Sequence, residues 1–145
     1  MAIDRRILIA DDDAQVRLGA AELLGPMGLE IVEAETGGQA IAILRQHAFH
    51  LALLDMHMPD TSGIEVFERM RAEIPLVPCI FWSGDATDDL ARYALRLGAS
   101  AFLRKPVPPE ILRGEVRRVL ESRWGKSPND HRRGDAPDST SQPDI

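Results

Sequence analysis

The sequence predicts an α/β protein built on a doubly wound, five-stranded parallel sheet with strand order 2-1-3-4-5. Two observations carry that expectation. Short apolar runs alternate with stretches of helical periodicity five times along the 145 residues, and parallel strands need such crossover connections. The runs also end in polar residues: Asp11, Asp12 and Asp13 after the first, Asp55 after the third, Ser83 after the fourth and Lys105 after the fifth. In an open parallel sheet, ligands bind at the carboxyl edge, where the strand order reverses. In the order 2-1-3-4-5 that point lies between strands one and three, so Asp11, Asp12 and Asp55 would share one crevice. Alternation alone leaves the order open.

The elements follow in turn. Ile7 to Ala10 is a buried strand, and Asp13 caps the helix in which Val16, Leu18, Ala20, Ala21, Leu23 and Leu24 recur at helical spacing. Gly25, Pro26 and Gly28 close it. Leu29 to Val32 makes the second strand, and Thr36 offers an N-cap to a helix whose inward face is Ala40, Ile41, Ile43 and Leu44. Leu51 to Leu54 is a third strand ended by Asp55, with Pro59 and Gly63 turning the chain away. Ile64, Val66, Phe67 and Met70 mark a third helix that ends near Glu73, ahead of Pro75. Val77 to Trp82 is the fourth strand. Thr87 caps a helix carrying Leu90, Ala91, Ala94, Leu95 and Leu97, and Gly98 stops it. Ala101 to Leu103 is the fifth strand; Pro108 and Pro109 open a last helix with Ile111, Leu112, Val116, Val119 and Leu120 inward.

Composition narrows the function classes. A net charge of -6, from 17 Lys and Arg against 23 Asp and Glu, gives no basic stripe and argues against nucleic acid as a partner. With Cys79 alone, one chain can form neither a disulfide nor a cysteine metal site, which suits a reducing cytoplasm. The N-terminal apolar run is four residues long and ends in acid, so it is neither a signal peptide nor a membrane span. The reading divides the chain into one domain, 1-124, and a polar tail, 125-145, whose three Pro, two Gly and three Ser leave too little apolar surface for order. That tail is read as an end without a role, or as a docking segment or linker.

The strand ends bring carboxylates, a hydroxyl and a cation together. Alone, Asp55 would be read as a loop or helix cap. Two unit charges ~4 Å apart repel by about 4 kcal/mol at an effective dielectric of 20, so three packed carboxylates need a counter-charge. Lys105 supplies one. The deficit points to a hard divalent cation with oxygen ligands, and Mg2+ also keeps positions open for a phosphoryl group.

With the motifs ILIADDD, LLDMHMPDTSG, the apolar run before Ser83, and LRKP, the chain resembles the receiver domain of a two-component response regulator over about Arg6 to Arg123. The resemblance implies the flavodoxin-like receiver fold, with Asp55 phosphorylated by a histidine kinase or a phosphotransfer protein. It implies Mg2+ held by Asp12 and Asp55, by the His57 backbone carbonyl, and by Asp11 through bound water. It also implies Lys105 and Ser83 as partners of the phosphoryl oxygens, and Phe102 as a switch aromatic that turns inward when Ser83 moves. A permanent core role for Phe102 is the alternative. The output face would be the fourth helix, fifth strand and fifth helix, open to an unidentified protein target or to a homodimer.

Ser83 and Gly84 replace the family's more frequent Thr and Ala and keep the site small. His57 and Asp85 hold positions that in this family influence how fast the phosphoryl group is lost. His47, His50 and His131 are read as surface residues, and Trp82 and Cys79 as packed in or beside the sheet. The chain is thus expected to be a cytoplasmic phosphoacceptor, catalytic only in its own phosphorylation and dephosphorylation. A phosphorelay intermediate, a degenerate binding or dimerisation module, and a hydrolase on the same fold are the competing readings. Retention of all five site residues disfavours the module. No glycine-rich phosphate loop or nucleophile elbow supports a hydrolase.

Overall fold

The computed structural model describes residues 5–85 and 87–126. Ten elements alternate: β1 (Arg5–Ala10), α1 (Ala14–Leu24), β2 (Leu29–Ala34), α2 (Gly37–Gln46), β3 (Leu51–Asp55), α3 (Gly63–Glu73), β4 (Cys79–Ser83), α4 (Asp88–Leu97), β5 (Ala101–Arg104) and α5 (Pro109–Trp124). The strands form one parallel sheet in the order β2-β1-β3-β4-β5. The expected tail lies, from residue 127 on, outside the described residues, as does His131.

Local chemistry sets the boundaries. The Asp13 carboxylate accepts the backbone N–H groups of Gln15 and Val16 and so begins α1. Thr36, Ser62 and Thr87 accept from Gln39, Glu65 and Leu90 at the starts of α2, α3 and α4. Gly98 stops α4 in the left-handed conformation, at φ 115°. All the positions of β3 and β4 are buried, as central strands of a doubly covered sheet require.

Two apolar layers sandwich the sheet. Leu8, Ala10, Ala52, Leu54 and Phe81 face α2, α3 and α4 through Ala40, Leu44, Val66, Phe67, Met70 and Ala94. Ile7, Ile9, Leu51, Leu53, Ile80, Trp82 and Leu103 face α1 and α5 through Ala20, Leu24, Leu112, Val116, Val119 and Leu120. No described helix is long and apolar enough to cross a membrane.

Ile111, expected on the inward stripe of the last helix, is 50% exposed, and Leu18 and Leu95, part of the apolar periodicity of α1 and α4, are 50% and 46% exposed. In α1 the buried positions are Arg17, Ala20 and Leu24, a narrower stripe than the apolar pattern suggested. In α4 only Ala94 is buried. His50 is also not a free surface residue: its Nδ1 accepts the Arg6 N–H at 3.1 Å, and its ring meets Trp124 edge-on at 5.2 Å. Trp124 Nε1 donates to the His50 carbonyl at 2.8 Å, so the pair fastens the end of α5 to the start of β1. Burial, with Arg5 and Arg6 nearby, pushes the His50 ring below its ordinary pKa, in keeping with a neutral acceptor.

The interior of α5 offers a direct test of helix propensity. A Cβ at Gly114, which is exposed, would meet nothing within 4 Å. Gly114→Ala is therefore expected to raise stability by about 0.5–1 kcal/mol, read as a higher thermal midpoint with an unchanged circular dichroism spectrum.

Candidate functional site

The site lies at the carboxyl edge of the sheet, at the ends of β1, β3, β4 and β5. Side chains alternate along a strand, so Asp11 continues the face of Ile7 and Ile9, and Asp55 that of Leu51 and Leu53. Both acids point to the α1 and α5 side. Asp11 is fully buried and Asp55 is 5% exposed, whereas Asp12 is open to solvent. One carboxylate oxygen from each of the three lies within 4.8 Å of the others.

Lys105 closes the cluster. Its Nζ stands 2.6 Å from Asp11 Oδ2 and 3.4 Å from Asp55 Oδ1, and also 5.1 Å from the centroid of the Trp82 ring. The other Asp11 oxygen accepts the Asp13 N–H at 2.9 Å. Burial raises the Asp55 carboxyl above its ordinary pKa, and the charge of Asp11 adds to the effect. Lys105 and the His57 N–H act in the opposite direction. The carboxylate of β3 is thus held in a partly compensated, electrostatically tense position.

The backbone around Asp55 is fixed on both sides. Met56 N–H bonds to the Trp82 carbonyl at 3.1 Å, and Gly63 N–H returns to the Met56 carbonyl at 2.9 Å. Asp60 spans from this loop to α2, accepting from Gly37 and Gly38 N–H at 2.9 Å each, and these bonds hold its carboxyl below the usual range. His57 is exposed and bridges to Ser62. Ser83 is 1% exposed, and its hydroxyl accepts the Asp85 N–H at 3.2 Å. Phe102 pairs with Phe81 in the sheet register and packs against its ring at 6.5 Å, partly buried. Ser83 and Phe102 therefore belong to the α2, α3 and α4 side of the sheet.

Donor chemistry fits a hard divalent cation. All the donors are oxygens, and opposite ligands of an octahedral Mg2+ stand about 4.2 Å apart, close to the span of the three carboxylates. Lys105 alone leaves the acids in excess.

A model of the response regulator receiver domain matches residues 7–117. The chain belongs to that family. Receiver domains are the phosphoacceptor signalling units of two-component systems. They act with histidine kinases or phosphotransfer proteins, hold Mg2+ in an acidic pocket, and are not generally classed as enzymes. Among relatives, the transcriptional activator protein ExaE of Pseudomonas putida is 36% identical over 116 residues, 79% of this chain and 54% of that protein. The phosphate regulon transcriptional regulatory protein PhoB of Pseudomonas aeruginosa is 35% identical over 120 residues, 81% of this chain and 52% of that protein. The chain thus spans about half the length of these curated relatives. A CheY-like receiver domain protein from Methanospirillum hungatei superposes with a TM-score of 0.78 at 32% identity, covering 82% of this chain and 95% of that one.

Two residues of this receiver domain escaped the sequence reading. Arg17, 8% exposed, donates from Nη1 to the Asp11 carbonyl at 2.6 Å and from Nε to Glu33 at 2.8 Å, tying α1 and β2 to the end of β1. Its signal was its place three and seven residues before Ala20 and Leu24. Trp82, read only as a packing residue, lies beneath Lys105.

Proposed function

We propose that the domain, residues 1-124, is a response regulator unit whose Asp55 accepts a phosphoryl group from a histidine kinase or a phosphotransfer protein in the cytoplasm. The observation that carries the proposal is the Asp55 carboxylate at the end of β3, with Lys105 on one side and Asp11 beside it. In the transfer, an Asp55 carboxylate oxygen attacks phosphorus. The new O–P bond forms as the N–P bond of the donor phosphohistidine breaks, and the electron pair leaves with the imidazole nitrogen.

Asp12 and Asp55 would hold Mg2+ through their side chains, His57 through its backbone carbonyl, and Asp11 through a bound water. When bound, the metal offsets phosphoryl charge and orients the donor group for in-line attack. Lys105 then transfers a hydrogen bond from a carboxylate to a phosphoryl oxygen, and the Ser83 hydroxyl turns to donate to another. Moving Ser83 frees space on the face it shares with Phe102, which links the site to the surface of α4, β5 and α5. A few charge-assisted bonds of about 1.5–3 kcal/mol each supply most of the ~5.5 kcal/mol needed to invert a 1:99 equilibrium.

That surface is the proposed contact for a protein target or for a second copy of the chain. The tail, 125-145, is proposed as a polar extension outside the domain. Passing the phosphoryl group on to another histidine is a variant of the same chemistry and would show as reversible transfer.

Intact mass is the test. With Mg2+ and acetyl phosphate the protein is expected to gain one phosphoryl group, and none in the presence of a chelator. An equal gain with and without the metal would contradict the role given to the acidic cluster.

A further inference from the structure

We propose that Trp82 is a positioning residue for Lys105: its indole face holds the ammonium at the mouth of the acidic cluster, in place for the phosphoryl group on Asp55. The proposal rests on the reading of Asp55 as the phosphoacceptor.

The sheet register puts Trp82 directly beside Asp55 on the neighbouring strand, and alternation turns both side chains to the same face. The Trp82 carbonyl also anchors Met56, the residue that follows the acceptor. From β5, Lys105 reaches across this strand, with its Nζ 5.1 Å from the ring centroid and in contact with Asp11 and Asp55. A lysine is a point charge on a flexible four-carbon stem, so its position depends on its surroundings. The two acids draw it inward. An aromatic face attracts the cation without taking one of its hydrogen bonds. The ammonium can thus stay over the ring while its N–H groups pass from a carboxylate to a phosphoryl oxygen.

The indole itself supplies a second observation. Trp82 is 3% exposed, and its Nε1–H is buried without a hydrogen-bond partner. Buried tryptophans ordinarily pair this group, and an unpaired buried donor costs stability. Leucine would fill an apolar layer with no such cost. The contact with Lys105 is what the aromatic ring adds at this position.

Trp82→Phe and Trp82→Leu separate this role from packing. Both remove the indole volume and the unpaired N–H, but only phenylalanine keeps an aromatic face. With cooperative thermal unfolding checked for each, the rate of phosphoryl uptake from acetyl phosphate with Mg2+ is the readout. W82F is expected within about threefold of the unaltered protein and W82L roughly tenfold slower than W82F. Equal rates for the two variants overturn the proposal. An unaltered protein that takes no phosphoryl group removes instead the reading of Asp55 beneath it.

Should W82L fail to fold, the unaltered protein still decides. Lys105 and Lys126 are its two lysines, and the indole ring current should move the Lys105 Hε resonances upfield of those of Lys126. Coincident resonances overturn the proposal.

Discussion

Alanine at position 63 is expected to destabilise the protein by about 3 kcal/mol, lowering the thermal midpoint by roughly 10 °C. Gly63 is the first residue of α3, and its N–H is bonded to the Met56 carbonyl. A Cβ there would run into the Asp55 carbonyl oxygen and lie 3.1 Å from both the Asp55 carbonyl carbon and Met56 Cα. These are backbone atoms of a buried strand end, so they yield only if Asp55 itself shifts. Gly37→Ala is the control. A Cβ there would meet only side-chain atoms, Thr61 Cγ2 and, at 3.1 Å, Cγ2 of the buried Val66, and the loss should be smaller. Thermal unfolding of both variants checks the order, and an unchanged midpoint for Gly63→Ala would show that α3 docks against the site less closely than described.

Asp55→Asn is expected to remove phosphoryl uptake entirely while making the metal-free protein more stable at neutral pH. Burial and Asp11 raise the Asp55 carboxyl above its ordinary value of 3.8. Between the unfolded and the raised folded value, the folded protein binds more protons than the unfolded chain, so stability falls as pH rises through that interval. Asparagine carries no such charge, and Lys105 keeps Asp11 as a partner at 2.6 Å. The variant should therefore gain on the order of 1 kcal/mol at pH 7, and the gain should shrink as pH falls through the same window. Mg2+ reverses the order. A ligand at 100 times its Kd stabilises by about 2.7 kcal/mol, and the variant lacks one of the charged oxygens proposed to hold it. Thermal unfolding with a chelator and with Mg2+ checks both signs, and a variant less stable than the unaltered protein in chelator would contradict the electrostatic picture.

Much of this architecture was legible because its signals are local. Asp13, Thr36 and Thr87 cap their helices through bonds to residues two or three positions on, and Gly98 ends α4 by its own backbone. The site was legible for a topological reason: each strand end of a parallel sheet lies on one edge, so Asp11, Asp55, Ser83 and Lys105 had to converge once the strands were placed. Depth was harder. Periodicity gives the direction of a side chain but not how closely its helix approaches the sheet, and so Ile111, expected inward, is half exposed. Contacts between distant side chains were hardest. Arg17 with the Asp11 carbonyl, His50 with Trp124, and Trp82 with Lys105 join separate elements through particular side-chain directions, which spacing along the chain does not record.

Chemical location of the phosphoryl group decides whether Asp55 is the acceptor. After incubation with Mg2+ and acetyl phosphate, borohydride reduces an aspartyl phosphate to homoserine, and peptide sequencing by mass spectrometry finds the altered residue. Conversion is expected at position 55 alone, dependent on the metal. Conversion at Asp11 or Asp12, or a phosphoryl group on a side chain that resists borohydride, would contradict it.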